Sequence, residues 1–209
     1  MKTKRKTLII PSVILAVMVL AAVSIFSFLQ FANWGFARRI PLTEQLLRLD
    51  MVRTAQHWLG TQEGDASHKM IVEIYNSHEP LAQGYAVTID DNWCAAFASA
   101  VAIQHGHTDI VPTECGCERQ IGLWKELDRW EENDNYLPLP GDYIYYAWDE
   151  RFSFGDCTGW ADHVGIVVGT AGPFIKVIEG NRNDMVTYRI ILQGDYRIRG
   201  YGLPDYSSK

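Results

Sequence analysis

Apolar side chains are spaced in three different ways along this chain. From Leu8 to Phe31 (LIIPSVILAVMVLAAVSIFSFLQF) they form a nearly unbroken run, and no charged residue occurs from Thr7 to Ala37. Beyond a short juncture containing Pro41 the period becomes helical. Leu46, Leu47, Met51, Val52, Ala55, Trp58 and Leu59 predict a helix that starts near Thr43 and Glu44 and ends at Gly60. A weaker helical patch covers Lys69 to Asn76. From Trp93 to Gly106 the residues Ala95, Ala96, Phe97, Ala98, Ala100, Val101 and Ile103 are apolar on nearly every side, the pattern of a buried helix. A fourth helix is predicted from Glu118 to Glu132, with Ile121, Leu123, Trp124, Leu127 and Trp130. After Pro138-Leu139-Pro140-Gly141 the pattern turns strand-like. Tyr143–Trp148, His163–Gly169, Phe174–Glu179, Met185–Leu192 and Arg197–Tyr201 are short, rich in β-branched and aromatic residues, and separated by Gly, Asn, Asp and Pro. Helices followed by adjacent strands predict an α+β fold, with helices packed on a mostly antiparallel sheet.

The first apolar run exceeds what a hydrocarbon core of about 30 Å requires. Lys2, Lys4, Arg5 and Lys6 precede it, and Trp34, Arg38 and Arg39 follow. Four basic residues against two favour a cytoplasmic N-terminus, with the remainder outside. The reading is one transmembrane signal-anchor. The alternative is a cleavable signal peptide with Ala22-Val23-Ser24 as its site, although the run stays apolar through Ile25, Phe26, Phe28 and Leu29. Both readings export the rest of the chain.

Composition sharpens this division. The 209 residues are 47% hydrophobic and 21% charged, too apolar for a disordered chain. The net charge of −6 sums unlike parts: beyond residue 6, 15 basic residues face 25 acidic ones. An acidic folded part lacks the footprint for a phosphate backbone, so nucleic acid is not expected as a partner. Oligomeric state is not legible.

Three short segments carry candidate chemistry. Asp91-Asn92-Trp93-Cys94 opens the buried helix, Asp162-His163-Val164-Gly165 opens a strand, and Ile178-Glu179-Gly180-Asn181 closes the next. A thiol at a helix N-terminus meets unpaired N–H groups and the positive end of the dipole, which favour the nucleophilic thiolate. With an odd loop of three or five residues in the hairpin, His163 falls directly opposite Glu179, with Cβ atoms about 4.5–5.5 Å apart. A one-residue slip would separate them onto opposite faces. Asn181, two positions on, shares the Glu179 face. Taken singly, Cys94 reads as a buried core thiol, His163 as a strand-end histidine and Glu179 as a solvated turn carboxylate. Together they supply a nucleophile, a base and a group to orient the base.

Trp93-Cys94-Ala95 with Phe97, Pro140-Gly141-Asp142, Asp162-His163-Val164-Gly165-Ile166-Val167 and Ile178-Glu179-Gly180-Asn181 occur in an order and spacing that resembles CHAP domains. These are the cysteine, histidine-dependent amidohydrolases/peptidases of the papain-like NlpC/P60 superfamily. The resemblance covers about residues 45–206, including the Arg199-Gly200-Tyr201-Gly202 ending. It divides the chain into a basic segment (1–6), a signal-anchor (7–33), a juxtamembrane linker (34–44) and a catalytic domain (45–206). It implies hydrolysis of an amide in peptidoglycan, either the muramoyl to L-alanine bond or one within a stem peptide or cross-bridge. By the motifs, Cys94 is the nucleophile, His163 the base and then the acid, Glu179 the partner of the imidazole, and Asn181 a further polar group beside them. Trp93 is expected as a wall of the substrate site and Asp162 as a neighbour of the substrate. A catalytically idle wall-binding module on the same fold is the competing reading.

No metal or other cofactor is expected. Asp149, Glu150, Asp156 and Asp162 offer oxygen ligands for calcium, which some members of the resembled family bind, but without EF-hand spacing. His105, His107, Cys115 and Cys117 could be written as a zinc site, yet match no common spacing. Cys115 and Cys117 are too close in sequence to bridge one another readily, so an extracellular bridge is expected from Cys157 to one of them. Trp124 and Trp130 are expected to pack in the core, with a sugar groove as the alternative.

Overall fold

The computed structural model describes residues 40–148 and 160–209. The basic segment, the predicted span 7–33 and most of the 34–44 linker lie outside the described residues, as do Asp149, Glu150, Asp156 and Cys157. Among the described residues no helix is long and apolar enough to cross a membrane. Pro41–Lys209 forms one compact unit.

Among the described residues four α-helices precede the sheet: α1 (Leu42–His57), α2 (Ala66–Asn76), α3 (Cys94–His105) and α4 (Cys117–Glu126). Asp65 starts α2 as an N-cap, its carboxylate accepting the His68 N–H at 2.7 Å; such a cap contributes about 1 kcal/mol. Helix α3 ends at Gly106 in the left-handed conformation, and its residues from Cys94 to Ala102 are all buried, as an all-apolar surface requires.

The fourth helix is shorter than its sequence pattern suggests. It stops at Glu126, Asp128 takes a positive φ of 55°, and Trp130–Glu131 become strand β1. The helical spacing of Trp130 is overridden by strand pairing: Trp130 faces Gly202 and Glu131 faces Tyr201. The remaining strands are β2 (Tyr143–Tyr146), β3 (His163–Ala171), β4 (Phe174–Glu179), β5 (Thr187–Leu192) and β6 (Ile198–Gly202). They form one sheet in the order β1-β6-β2-β3-β4-β5, with every pairing antiparallel. The α+β reading therefore holds.

The main core lies between the helices and one sheet face, where Phe97, Val101, Ile121 and Trp124 meet Tyr143, Val164, Ile166 and Ile178. A smaller cluster on other strand positions gathers Ile144, Tyr146, Val167, Ile175, Val177 and Tyr201. Buried polar groups hold the elements in place. Asp142, fully buried, accepts from Arg48 of α1 at 2.8 Å, from the Tyr136 hydroxyl at 2.7 Å and from the Leu139 N–H at 2.8 Å. This gives the aspartate of Pro140-Gly141-Asp142 a structural task. Gln120 of α4 donates to Ser99 of α3 and to Pro112 O, and accepts from Tyr145 of β2. Trp124 donates to the same Tyr145 hydroxyl at 2.7 Å, which makes it a core residue. Because buried polar atoms are costly unless partnered, this network fixes how α3 and α4 pack against each other and against β2.

Candidate active site

Cys94 is the first residue of α3, so its sulfur lies beside amides that have no partner within the helix. The Ala95 N–H bonds to it. Trp93 closes the turn, its carbonyl accepting the Phe97 N–H at 2.8 Å.

His163 and Glu179 come together by a different route from the expected register. The β3–β4 hairpin turns through two residues, Gly172 and Pro173, with Ala171 facing Phe174. Carried straight along the ladder, an even loop would put His163 and Glu179 on opposite faces. A bulge between Val167 and Gly169 intervenes, after which Val167 faces Val177 and Ile166 faces Ile178. Continued by one pair, that register puts Gly165 opposite Glu179 and His163 two places further on. The two side chains share a face as diagonal neighbours, and the long Glu179 side chain spans the gap. His163 Nε2 lies 3.2 Å from Glu179 Oε2.

Two glycines make this possible. A Cβ on Gly165 would lie 2.8 Å from Glu179 Cγ and 2.5 Å from Val177 Cγ1. A Cβ on Gly180 would lie 2.6 Å from Phe97 Cβ and 2.9 Å from Trp93 Cζ3. The end of β4 can therefore press against the start of α3, and the glutamate and the thiol are set by one close approach.

Glu179 is fully buried and its charge is surrounded. Arg189 of β5 donates to Oε1 at 2.5 Å and Arg182 lies 3.7 Å from Oε2. Burial opposes ionisation of Glu179, but hydrogen bonds from His163 and Arg189 outweigh it, and the carboxyl is held below its ordinary range. Burial likewise disfavours a charged His163; Cys94 and Glu179 outweigh it and push the imidazole up to about 9. The Cys94 thiol is held well below its ordinary range, first by a hydrogen bond from Cys117, against the cost of burial, and then by His163. Both shifts favour the thiolate–imidazolium form of the pair, beside a carboxyl group that is itself held towards its ionised form. With Cys94 only 5% exposed, these charges act with little solvent screening.

Other expected positions fall elsewhere. Asn181 does not bond to His163. It sits in the left-handed conformation at φ 56°, and its amide donates to Asn92 Oδ1 at 3.2 Å, tying the strand end to the loop before Cys94. Trp93 is fully buried, donates to Glu63 at 3.1 Å and packs on His68 with ring centroids 4.4 Å apart. The expected substrate wall is thus corrected to a core support beneath Cys94, because no surface is left for a substrate to touch. Asp162 is exposed and its Oδ2 accepts the Trp148 N–H at 2.8 Å, anchoring the backbone just past β2.

Of the zinc alternative, His105 and His107 stack on one another, Cys115 bonds to Glu114, and Cys117 turns to Cys94. Among the described residues no group of three or more His, Cys, Asp or Glu side chains is arranged to hold a metal ion.

Two contributors escaped the sequence reading. Arg189 is a charged residue in a strand, directly opposite Val177 and diagonal to Glu179; its signal was a cation beside an inward-facing carboxylate on the neighbouring strand. Cys117 lies 3.6 Å from Cys94, sulfur to sulfur. Nothing in the spacing of the two cysteines marks that contact.

A thiol at a helix N-terminus, a strand-borne imidazole and a buried carboxylate thus come together, residue types able to supply a nucleophile, a base and a group that orients the base. Residues 82–181 match the model of the CHAP domain family, and that span includes Cys94, His163, Glu179 and Asn181. That span is similar to CHAP domains, a family consistent with a peptidoglycan hydrolase type of function. Neither the search of curated proteins nor the search of solved structures found a match.

Proposed function

We propose that this chain is an exported, membrane-tethered peptidoglycan hydrolase that cleaves an amide bond through an acyl-enzyme on Cys94. The observation that carries the reading is the juxtaposition of Cys94, His163 and Glu179 within the residues that match the CHAP domain model. Cys94 thiolate attacks the carbonyl carbon. The Cys94 N–H, at the helix N-terminus, is the natural donor to the developing oxyanion. His163 protonates the departing amine and then, neutral, takes a proton from the water that releases the acyl group. Glu179 keeps the imidazole oriented and stabilises its charge without itself reacting. No cofactor is needed for these steps. Peptidoglycan lies outside the membrane, so the apolar run 8–31 and its basic flank support this substrate independently. The bond is a muramoyl to L-alanine amide or a peptide bond of the stem or cross-bridge.

Incubation of the protein with purified cell walls, followed by mass spectrometry of soluble fragments, tests the reading and assigns the bond. Released stem peptides or new amino termini are expected. A folded protein that sediments with walls and releases nothing would instead be an idle binding module.

A further inference from the structure

We infer that Cys94 and Cys117 are a disulfide-forming pair whose oxidation by low-molecular-weight disulfides reversibly closes the site. The inference rests on the reading of Cys94 as the nucleophile. Each cysteine is the first residue of its helix, α3 and α4, and both are buried. Their sulfurs are 3.6 Å apart, so a bond of about 2.05 Å asks the two atoms to close by roughly 1.5 Å, within the reach of small side-chain rotations. The third described cysteine is turned away: Cys115 Sγ bonds to the Glu114 carboxylate at 3.5 Å. The helices themselves are held by the Gln120–Ser99 contact, so the sulfurs meet without large backbone rearrangement. Thiolate character in Cys94 supplies the attacking group.

The chemistry closes in two exchanges. Cys94 thiolate attacks one sulfur of R–S–S–R, breaking that bond and expelling one RS⁻. Cys117 then attacks Cys94 Sγ, the mixed disulfide breaks, and the second RS⁻ leaves. Two protein sulfurs are oxidised, one small disulfide is reduced, and the protons first held by His163 and Cys117 end on the two released thiols. With its sulfur bonded to Cys117, Cys94 has no thiolate to attack a carbonyl. Excess thiol reverses both steps. An exported domain meets such oxidants more than a cytosolic one does.

The test uses the full-length chain, reduced and then treated with 2-hydroxyethyl disulfide. Native labelling of Cys94 by iodoacetamide is expected to fall at least about tenfold and to return with dithiothreitol. Mass spectrometry after denaturing alkylation should find the Cys94 and Cys117 peptides linked, with no hydroxyethyl adduct on either. In Cys117→Ser, and in Cys117→Ala should the serine variant fold poorly, Cys94 should stop at the mixed disulfide and carry one adduct. A stable hydroxyethyl adduct on Cys94 beside a free Cys117 in the unmodified sequence, or linkage of Cys94 to Cys115 or Cys157, overturns the inference. These readouts need no wall digestion. A chain that forms the bridge yet releases nothing from cell walls would keep the thiol pair and lose the hydrolase reading.

Discussion

Arg189 holds Glu179 more closely than His163 does: the guanidinium Nε is 2.5 Å from one carboxylate oxygen, and the imidazole Nε2 is 3.2 Å from the other. Arg189 is itself stacked over Trp148, 4.1 Å from the ring centroid, and over Tyr146 at 5.5 Å. The orienting carboxylate is therefore gripped from β5 before it touches the histidine.

Replacing Arg189 by Met leaves a buried carboxylate short of a cation. Loss of about 3 kcal/mol is expected in denaturant unfolding. Without Arg189, Glu179 stays ionised at alkaline pH but is shared with one cation fewer, so it holds the His163 imidazolium more strongly and the alkaline limb of the pH–activity profile should move up. Arg189→Lys, which keeps the charge, should move it less. An unshifted limb in a folded Arg189→Met protein would show that the arginine serves packing alone.

Cys94→Ser is expected to reduce release of wall fragments by about three orders of magnitude or more, with the circular dichroism spectrum and wall sedimentation unchanged. Glu179→Gln should lower turnover without abolishing it. Retained hydrolysis by the serine variant would remove Cys94 from the nucleophile's role.

The pH profile of kcat/KM follows from two opposed shifts. Cys94 is depressed, so the thiolate persists as pH falls below the usual thiol range, and the acid limb lies well to the acid side of an ordinary cysteine. His163 is raised, so the imidazolium needed by the leaving amine persists through neutrality and is lost as pH rises through about 9. Activity should form a plateau between these limbs. A maximum only above pH 9 would mean that the pair is neutral in the resting protein.

Gly165→Ala tests the diagonal contact. The added methyl group meets Glu179 Cγ, Val177 Cγ1 and the Ile178 carbonyl at 2.5–3.0 Å, and a cost of about 1–3 kcal/mol is expected from overpacking. Activity should fall more steeply than stability, because the side chain displaced is the one that orients His163. Thermal unfolding and wall digestion on the same sample separate the two effects.

Much of this architecture was legible in the sequence, where local chemistry and tertiary demand agree. The all-apolar surface of α3 predicted its burial, the glycine after it predicted its end, and the strand pattern after Gly141 predicted the sheet. Cys94, His163 and Glu179 were nameable because residue type and position at an element's end carry the signal. Less visible were features that arise only from pairing. Trp130 fits a helix by spacing but is drawn into a strand by β6. The turn at Gly172-Pro173 is one residue shorter than the odd loop expected, and a bulge compensates for it. Cys117 and Arg189 reach the site from elements whose neighbours no local pattern specifies, and Trp93 was expected to line the substrate site only because it adjoins Cys94.

The β3–β4 bulge makes correct folding and a working site separable conditions. A chain that zipped this hairpin straight from its two-residue turn would keep its helices, its strands and an ordinary far-ultraviolet spectrum, yet it would aim His163 away from Glu179. Specific activity per folded molecule, rather than secondary-structure content, is thus the proper measure of quality for any preparation or redesigned hairpin of this protein.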